Sequence, residues 1–277
     1  MQIPSSVIRM LKKALEEDIG HGDITSSLII PEESESRALY IAKGDFVLAG
    51  FPFAREVFTL LDQNTFFTTF FAEGTKVMRG DVLGEVSGKT RALLAGERVS
   101  LNILQRLSGI ATLTRSFVDA VMGTGAKIID TRKTTPCLRL MEKYAVRAGG
   151  GVNHRFGLYD GILIKDNHIE AVGSIAKAIA MAKAVHHLAK IEVEVENLND
   201  LREAVEAGAD VIMLDNMSVN DMKEAVEIVK KRVPLEASGN VSIGNVREIA
   251  ETGVDLISIG ALTHSVTAAD ISLKIVR

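Results

Sequence analysis

From about Lys127 onward, apolar runs of four to six residues alternate with longer stretches in which apolar side chains recur every three or four positions. The runs KIID (127–130), ILIK (162–165), IEVEVE (191–196), VIML (211–214), PLEA (234–237) and LISI (256–259) read as strands. Segments between them, such as IEAVGSIAKAIAMAKAVHH and NDMKEAVEIVKKR, read as amphipathic helices. This alternation predicts βα units around a parallel sheet. An internal repeat agrees: EAGADVIML at 206–214 aligns with ETGVDLISI at 251–259, each a helix end, a glycine suited to a left-handed cap, an aspartate and a strand. The copies stand 45 residues apart and span two strands, a spacing that suits a barrel.

The first hundred residues follow another pattern. Ile3 to Asp18 carries Val7, Ile8, Leu11 and Leu15 at helical spacing and stops before Gly20. A turn-rich EDIGHGDITS follows. Residues 36–51 and 64–86 read as short strands punctuated by glycine, with a helical AREVFTLLDQ between them. The spacing of Gly74, Val77, Gly80 and Asp81 resembles the hairpins of lipoyl and biotinyl carrier domains. No exposed turn bearing a carrier lysine accompanies it, and the glycines read more simply as hairpin turns.

The predicted architecture is α/β: an incomplete TIM-like α/β barrel of fewer than eight strands at 109–266, preceded by an N-terminal α+β sandwich domain at 1–108. The barrel segment falls short of the roughly 250 residues of eight full units. An open doubly wound sheet is the competing arrangement, but neither a GxGxxG turn nor a P-loop supports it.

Composition narrows the chemistry. With 32 basic and 36 acidic side chains in 277 residues the formal charge is −4, so the footprint of a nucleic-acid binder is missing. Tryptophan is absent and aromatics are 5 %, which argues against base-stacking platforms. Cys137 stands alone, excluding an intramolecular disulfide and a multi-thiolate zinc site. Charges interrupt the N-terminal apolar stretch, and no uncharged run reaches the roughly 18 residues of a membrane span, so the expected location is cytoplasmic.

Barrel enzymes work at the C-terminal ends of their strands. There the chain places Thr131, Arg132 and Lys133; Lys165 and Asp166; Glu194 and Glu196; Asp215 and Asn216; Ser238, Gly239 and Asn240; and Gly260 and Ala261. Each group has a plainer reading, as a solvated loop or a structural ion pair. Glu192, Glu194 and Glu196, however, share one strand face, which makes no sense as apolar packing. Ahead of Lys165, three glycines at 149–151 precede His154 and Arg155, placing a flexible backbone beside a titratable ring and a fixed cation. Arg132, Lys133, His154, Arg155 and Lys165 together describe a pocket for a multiply anionic substrate. Glu194 and Asp215 suit Mg²⁺, which takes one or two protein carboxylates plus substrate phosphates. The small residues after the last strands suit a phosphate. His186 and His187 read as helix-surface residues.

The motifs DTRKTTPCLR, GGGVNHRFGLYDGILIKDNHI, IEVEVEN, IMLDN, EASGN and ISIGALTHS, with EDIGHGDITS and GERVSLNILQRLSGIATLTR, resemble in order and over nearly the whole chain the quinolinate phosphoribosyltransferase family of NAD biosynthesis. The resemblance implies a homodimer with sites shared across subunits and residues 267–277 returning to the N-terminal domain. It implies quinolinate and 5-phosphoribosyl 1-pyrophosphate as substrates, nicotinate mononucleotide, pyrophosphate and CO₂ as products, and Mg²⁺ as cofactor. Arg132, His154, Arg155 and Lys165 would hold quinolinate, with Thr131 among the binding residues, and Lys133 would act at the pyrophosphate end. Arg98 would reach the partner subunit's site. Glu194 and Asp215 would hold the ribose hydroxyls and metal, and Ser238, Gly239, Asn240, Gly260 and Ala261 the 5′-phosphate. Lys133, Lys165, Glu194 and Asp215 would carry the catalysis. The family pattern expects Ser-Gly-Gly where Asn240 stands. Three other readings stay open: a paralogue of the kind associated with molybdenum transport, acting on another acceptor; a Schiff-base aldolase using Lys165; and a non-catalytic carrier.

Overall fold

A computed structural model describes residues 3–185 and 188–276. His186 and His187 lie outside the described residues. In chain order the elements are α1 (Ser5–Ile19), α2 (Ile24–Ile29), β1 (Glu35–Ala42), β2 (Phe46–Val47), α3 (Phe51–Leu61), β3 (Phe66–Thr69), β4 (Lys76–Val77), β5 (Val82–Lys89) and α4 (Thr90–Ala120). There follow β6 (Lys127–Ile129), α5 (Arg139–Ala148), β7 (Ile162–Ile164), α6 (Asp166–Val172), α7 (Ile175–Val185), β8 (Ile191–Val195) and α8 (Leu198–Glu206). The chain ends with β9 (Val211–Asp215), α9 (Val219–Val229), β10 (Leu235–Ser238), α10 (Val246–Ala250), β11 (Leu256–Ser258), α11 (Ala261–His264) and β12 (Ile271–Val276). Two compact units result, one from residues 1–115, 135–150 and 265–277, the other from 116–134 and 151–264.

The first unit is built on an antiparallel sheet in the order β12-β1-β5-β3. The C-terminal strand β12 pairs with β1 from Arg37 opposite Val276 to Ala42 opposite Ile271. Tyr40, Phe51, Phe58, Leu83, Val86, Leu93, Leu104 and Ile271 fill the core beside the sheet. The rings of Tyr40 and Phe51 meet edge to face with centroids 5.4 Å apart. The segment at 72–88 supplies β4, which pairs with β2 in a separate two-stranded sheet, and most of β5, which enters this one. The helix α4 runs through position 108, where the sequence pattern suggested a boundary. Its interior glycines disguise it but have a packing reason: a Cβ on Gly96 would stand 2.8 Å from the Phe58 ring, and one on Gly109 2.2 Å from the carbonyl oxygen of Thr267. Residues 135–150, assigned from the sequence to the barrel segment, form α5 and belong to this first unit. Tyr144 of α5 packs edge to face on Phe53 of α3. The turn-rich EDIGHGDITS ends in α2, whose first turn is capped by Asp23 accepting from the backbone N–H of Ser26 at 3.0 Å.

The second unit holds six parallel strands in the order β6-β11-β10-β9-β8-β7. From β7 to β11 each strand lies beside its successor, and the first, β6, closes on the last. That is barrel order, which an open doubly wound sheet does not give. Between β6 and β7 a single parallel bridge, Ile129 with Val152, takes the place of a ladder, so the barrel is incomplete. The repeated aspartates explain the internal repeat. Asp210 accepts from the N–H of Ile191 at 2.8 Å, and Asp255 from the N–H of Leu235 at 2.9 Å, each fastening the start of the neighbouring strand. Gly208 and Gly253 take φ of 75° and 96°, the left-handed turn that lets the chain leave its helix and enter the next strand.

Candidate active site

Strand alternation sorts the barrel side chains. On β8, Ile191, Val193 and Val195 are buried on one face, while Glu192 and Glu194 occupy the other. Glu196 lies beyond the strand and is exposed, so the acidic face has two members rather than three. Leu163, Glu194, Met213, Glu236 and Ser258 line the cavity at the barrel mouth, of about 610 Å³. Interiors of such barrels usually fill with branched apolar residues; this one is floored by carboxylates.

Around the rim the same cavity gathers Thr131, Arg132, Lys133, His154, Arg155, Lys165, Asp215, Ser238, Gly239 and Asn240. Of the other residues singled out from the sequence, Gly260 adjoins it: a Cβ there would lie 3.0 Å from the Lys133 side chain. Ala261 follows as the first residue of α11. Arg98 sits on α4 in the first unit, where it lines a cavity of about 250 Å³ with Glu17, Asp18 and Arg106.

The cations are held by identifiable partners. Asp130, fully buried at the end of β6, accepts from the His154 N–H at 2.9 Å and binds the Asn153 side chain at 2.5 Å, fixing the strand-like segment that delivers Arg155. Arg155 Nη1 donates to the Gly161 carbonyl at 2.9 Å, yet its buried Nε has no partner among the described residues. Burial, and then the nearby Arg132 guanidinium, lower the Arg155 pKa from its ordinary value. Two guanidinium groups that disfavour each other across a cavity form a site that an anion stabilises. Lys165 pairs with the buried Glu194 carboxylate. A Schiff-base lysine needs an apolar pocket or a neighbouring cation, and this ion pair provides neither.

His154 lines the cavity, and its ring is held on both sides. Nδ1 accepts the backbone N–H of Arg155 at 2.8 Å, which leaves the proton on Nε2, directed at Glu192 Oε2 at 2.8 Å. The structure thus places His154 at the cavity, as the sequence led one to expect, and gives its ring a further task, holding the loop that carries Arg155. Sequence reasoning passed over Glu236. Its signal was a glutamate inside the apolar run PLEA, where a buried acid calls for a partner.

The loop after β10 explains its departure from the family pattern. Asn240 has φ of 52°, a left-handed conformation that asparagine tolerates nearly as glycine does, and its Nδ2 donates to Asn216 Oδ1 at 3.0 Å. Asn216 in turn donates to Asp215 Oδ2 at 2.8 Å, joining the loop to the end of β9. Gly239, at φ 94°, is irreplaceable for space as well, since a Cβ would stand 2.2 Å from Asn216 Oδ1.

Strand ends that gather three paired or opposed cations, two carboxylates and a tight Gly-Asn turn define a barrel enzyme for multiply anionic substrates. The comparisons narrow this class. Residues 23–108 match the N-terminal domain, and residues 110–274 the C-terminal domain, of quinolinate phosphoribosyl transferase. The chain belongs to the quinolinate phosphoribosyltransferase family. It is 49 % identical over 270 residues to a probable nicotinate-nucleotide pyrophosphorylase (carboxylating) of Bacillus subtilis, covering 96 % of this chain and 93 % of the relative. A mitochondrial quinolinate phosphoribosyltransferase (decarboxylating) of Nicotiana tabacum is 43 % identical, with 96 % and 81 % covered. The crystal structure of NadC from Streptococcus pyogenes superposes with a TM-score of 0.95 at 43 % identity, covering 100 % of this chain and 99 % of that one.

Proposed function

We propose that this chain transfers the phosphoribosyl group of 5-phosphoribosyl 1-pyrophosphate to the ring nitrogen of quinolinate, giving nicotinate mononucleotide, pyrophosphate and CO₂. The observation that carries the reading is the convergence of Arg132, Arg155 and Lys165 on one cavity, with Arg155 Nε buried and without a partner among the described residues. Two adjacent carboxylates need several cations, because burying them unpaired costs several kcal/mol each, on the order of the penalty for any unpaired buried ion.

The remaining residues follow from the chemistry. As the bond from ribose C1 to pyrophosphate lengthens, positive charge develops on the sugar. Glu194 and Asp215, on the cavity wall, stabilise that charge where it appears. Lys133 takes the side of the departing pyrophosphate, and Ser238, Gly239, Asn240, Gly260 and Ala261 that of the 5′-phosphate, with Thr131 beside the acceptor. Once the ring nitrogen is alkylated it is cationic, so the electron pair left at C2 when the C2–CO₂ bond breaks is stabilised. A proton then adds to C2.

Glu194 and Asp215 also suit Mg²⁺. Both face the cavity, and Asp215, which accepts from Asn216 at Oδ2, has oxygen lone pairs to spare. When bound, the ion neutralises pyrophosphate charge. The lone thiol of Cys137, exposed and unbridged, fits a reducing cytoplasm. No described helix is long and apolar enough to cross a membrane.

The direct test is incubation with Mg²⁺, phosphoribosyl pyrophosphate and either quinolinate or nicotinate, following CO₂ and mononucleotide. Product from quinolinate alone is expected. Product from neither acceptor would move the substrate to another molecule and favour the paralogue. We further propose a homodimer in which Arg98 completes the partner's site. Mixing inactive Arg98→Ala with inactive Lys165→Ala enzyme should then restore activity as subunits exchange. Mixed dimers without activity would confine Arg98 to its own subunit.

A further inference from the structure

The floor of the barrel carries a carboxyl for which the reaction above has no task. Glu236, on β10, is 1 % exposed and lines the site cavity. Neither of its oxygens has a hydrogen-bond partner among the described residues, and Oε1 of the adjacent Glu192 is in the same condition. Four groups face it from the surrounding elements: Glu192 of β8, His154 from the segment before β7, Lys165 at the end of β7 and Ser258 of β11. The Ser258 hydroxyl is turned to the Ala237 carbonyl at 3.4 Å, and His154 Nε2 stands 3.7 Å from Glu236 Oε2, too far for a hydrogen bond.

A buried carboxylate with no donor to either oxygen, set beside a second carboxylate, is strongly unfavourable. Burial first, and the Glu192 carboxylate second, push the Glu236 carboxyl well above the usual carboxylate range, against the opposing pull of the Ser258 hydroxyl and then of Lys165. A proton on Glu236 gives Glu192 Oε1 the donor it lacks. Glu192 Oε2 already accepts from His154 Nε2, and His154 Nδ1 from the Arg155 main chain. A metal ion does not fit in place of the proton. The three ligand atoms of His154, Glu192 and Glu236 lie within 4.8 Å of one another, but Nε2 keeps its hydrogen because Nδ1 accepts one.

We propose that Glu236 is a positioning residue for acceptor recognition: as a neutral carboxyl it donates to Glu192, which holds the His154 ring, which holds the main chain that aims Arg155 into the cavity. This rests on Arg155 binding the acceptor carboxylates, as proposed above. The relay thus runs from the Glu236 carboxyl on β10 to the Glu192 carboxylate on β8, from there to the His154 ring, and on to the Arg155 main chain ahead of β7.

The test uses the full-length enzyme and two substitutions of similar volume. Glu236→Gln keeps a donor to Glu192, whereas Glu236→Leu removes it. The Leu variant should raise the KM for quinolinate about tenfold or more, with the KM for phosphoribosyl pyrophosphate within about twofold of wild type. The Gln variant should stay within about threefold of wild type for both. A Gln variant as impaired as Leu, or a Leu variant with wild-type KM, would overturn the proposal. If Leu prevents folding, Glu236→Ser, too short to reach Glu192, replaces it.

The ¹⁵N spectrum of the His154 ring gives a readout independent of turnover. The Nε2–H form should persist in the Gln variant and lose its dominance in the Leu variant. Identical ring spectra in all three proteins would overturn the network. A wild-type enzyme inert toward quinolinate would defeat the substrate assignment, and the ring spectra would still decide the role of Glu236.

Discussion

Arg155→Ala should lower kcat/KM for quinolinate by about 10²- to 10³-fold, the equivalent of roughly 3–4 kcal/mol, while leaving the KM for phosphoribosyl pyrophosphate nearly unchanged. The size follows from the geometry. The Arg155 guanidinium is held at one end by the Gly161 carbonyl, and its buried Nε has no partner among the described residues. A carboxylate reaching it satisfies an orphaned donor and screens the charge of Arg132 from that of Arg155 at the same time. Removing the guanidinium strands the substrate's anion in a cavity designed around its neutralisation. Arg155→Lys should recover only part of the loss, since an ammonium cannot present the planar fork that meets a carboxylate with two parallel N–H groups. Steady-state kinetics with quinolinate varied at saturating co-substrate measures this. An unchanged kcat/KM would remove Arg155 from the acceptor site.

The second large effect concerns stability. Gly109→Ala should destabilise the protein by about 2–3 kcal/mol and lower the apparent Tm by roughly 5–10 °C. A Cβ at this position of α4 would lie 2.2 Å from the Thr267 carbonyl oxygen and 3.2 Å from the Ala268 Cα. Both obstacles are backbone, so no side chain can swing away. Relief requires moving the segment that leads into β12, and with it the Ala269 N–H bonded to the Gln105 carbonyl at 2.9 Å. Ordinarily Ala in place of a helical glycine is favourable by up to about 1 kcal/mol, so the sign of the measured change discriminates sharply. A thermal melt at or above wild type would mean that α4 and the 265–270 segment are not in contact at this glycine.

The six barrel strands could be located from the sequence within about one residue at each end, because each is a short apolar run closed by a polar residue. Periodicity is a local property, and these runs carry it locally. What escaped was of a different kind. The 31-residue α4 is broken in pattern by Gly96, Ser108 and Gly109, whose reasons for being there are a phenylalanine ring and two loops distant in sequence. Ser108, for instance, accepts from the Ala49 N–H at 3.1 Å. Likewise the rim cations were readable as strand-end residues. The task of the His154 ring was not, since it depends on Glu192, 38 positions away, and on the hydrogen-bonding direction of a single nitrogen. Glu236 was hidden most deeply, because a lone acid in an apolar strand acquires meaning only from the acid it faces across the barrel.

The strand β12 contributes the edge that covers β1, and at residues 271–276 it follows every barrel strand in the chain. On the ribosome, the N-terminal sheet therefore waits with the outer edge of β1 bare through the whole synthesis of the barrel. At roughly 5–20 residues per second, the interval from β1 to β12 is on the order of ten seconds to a minute. During that time Leu39 and Ile41 lie on an unpaired strand that could template a neighbouring chain. A stop codon or protease cut just ahead of residue 271 would make that passing hazard permanent, leaving the barrel strands untouched while turning the other unit into a seed for aggregation.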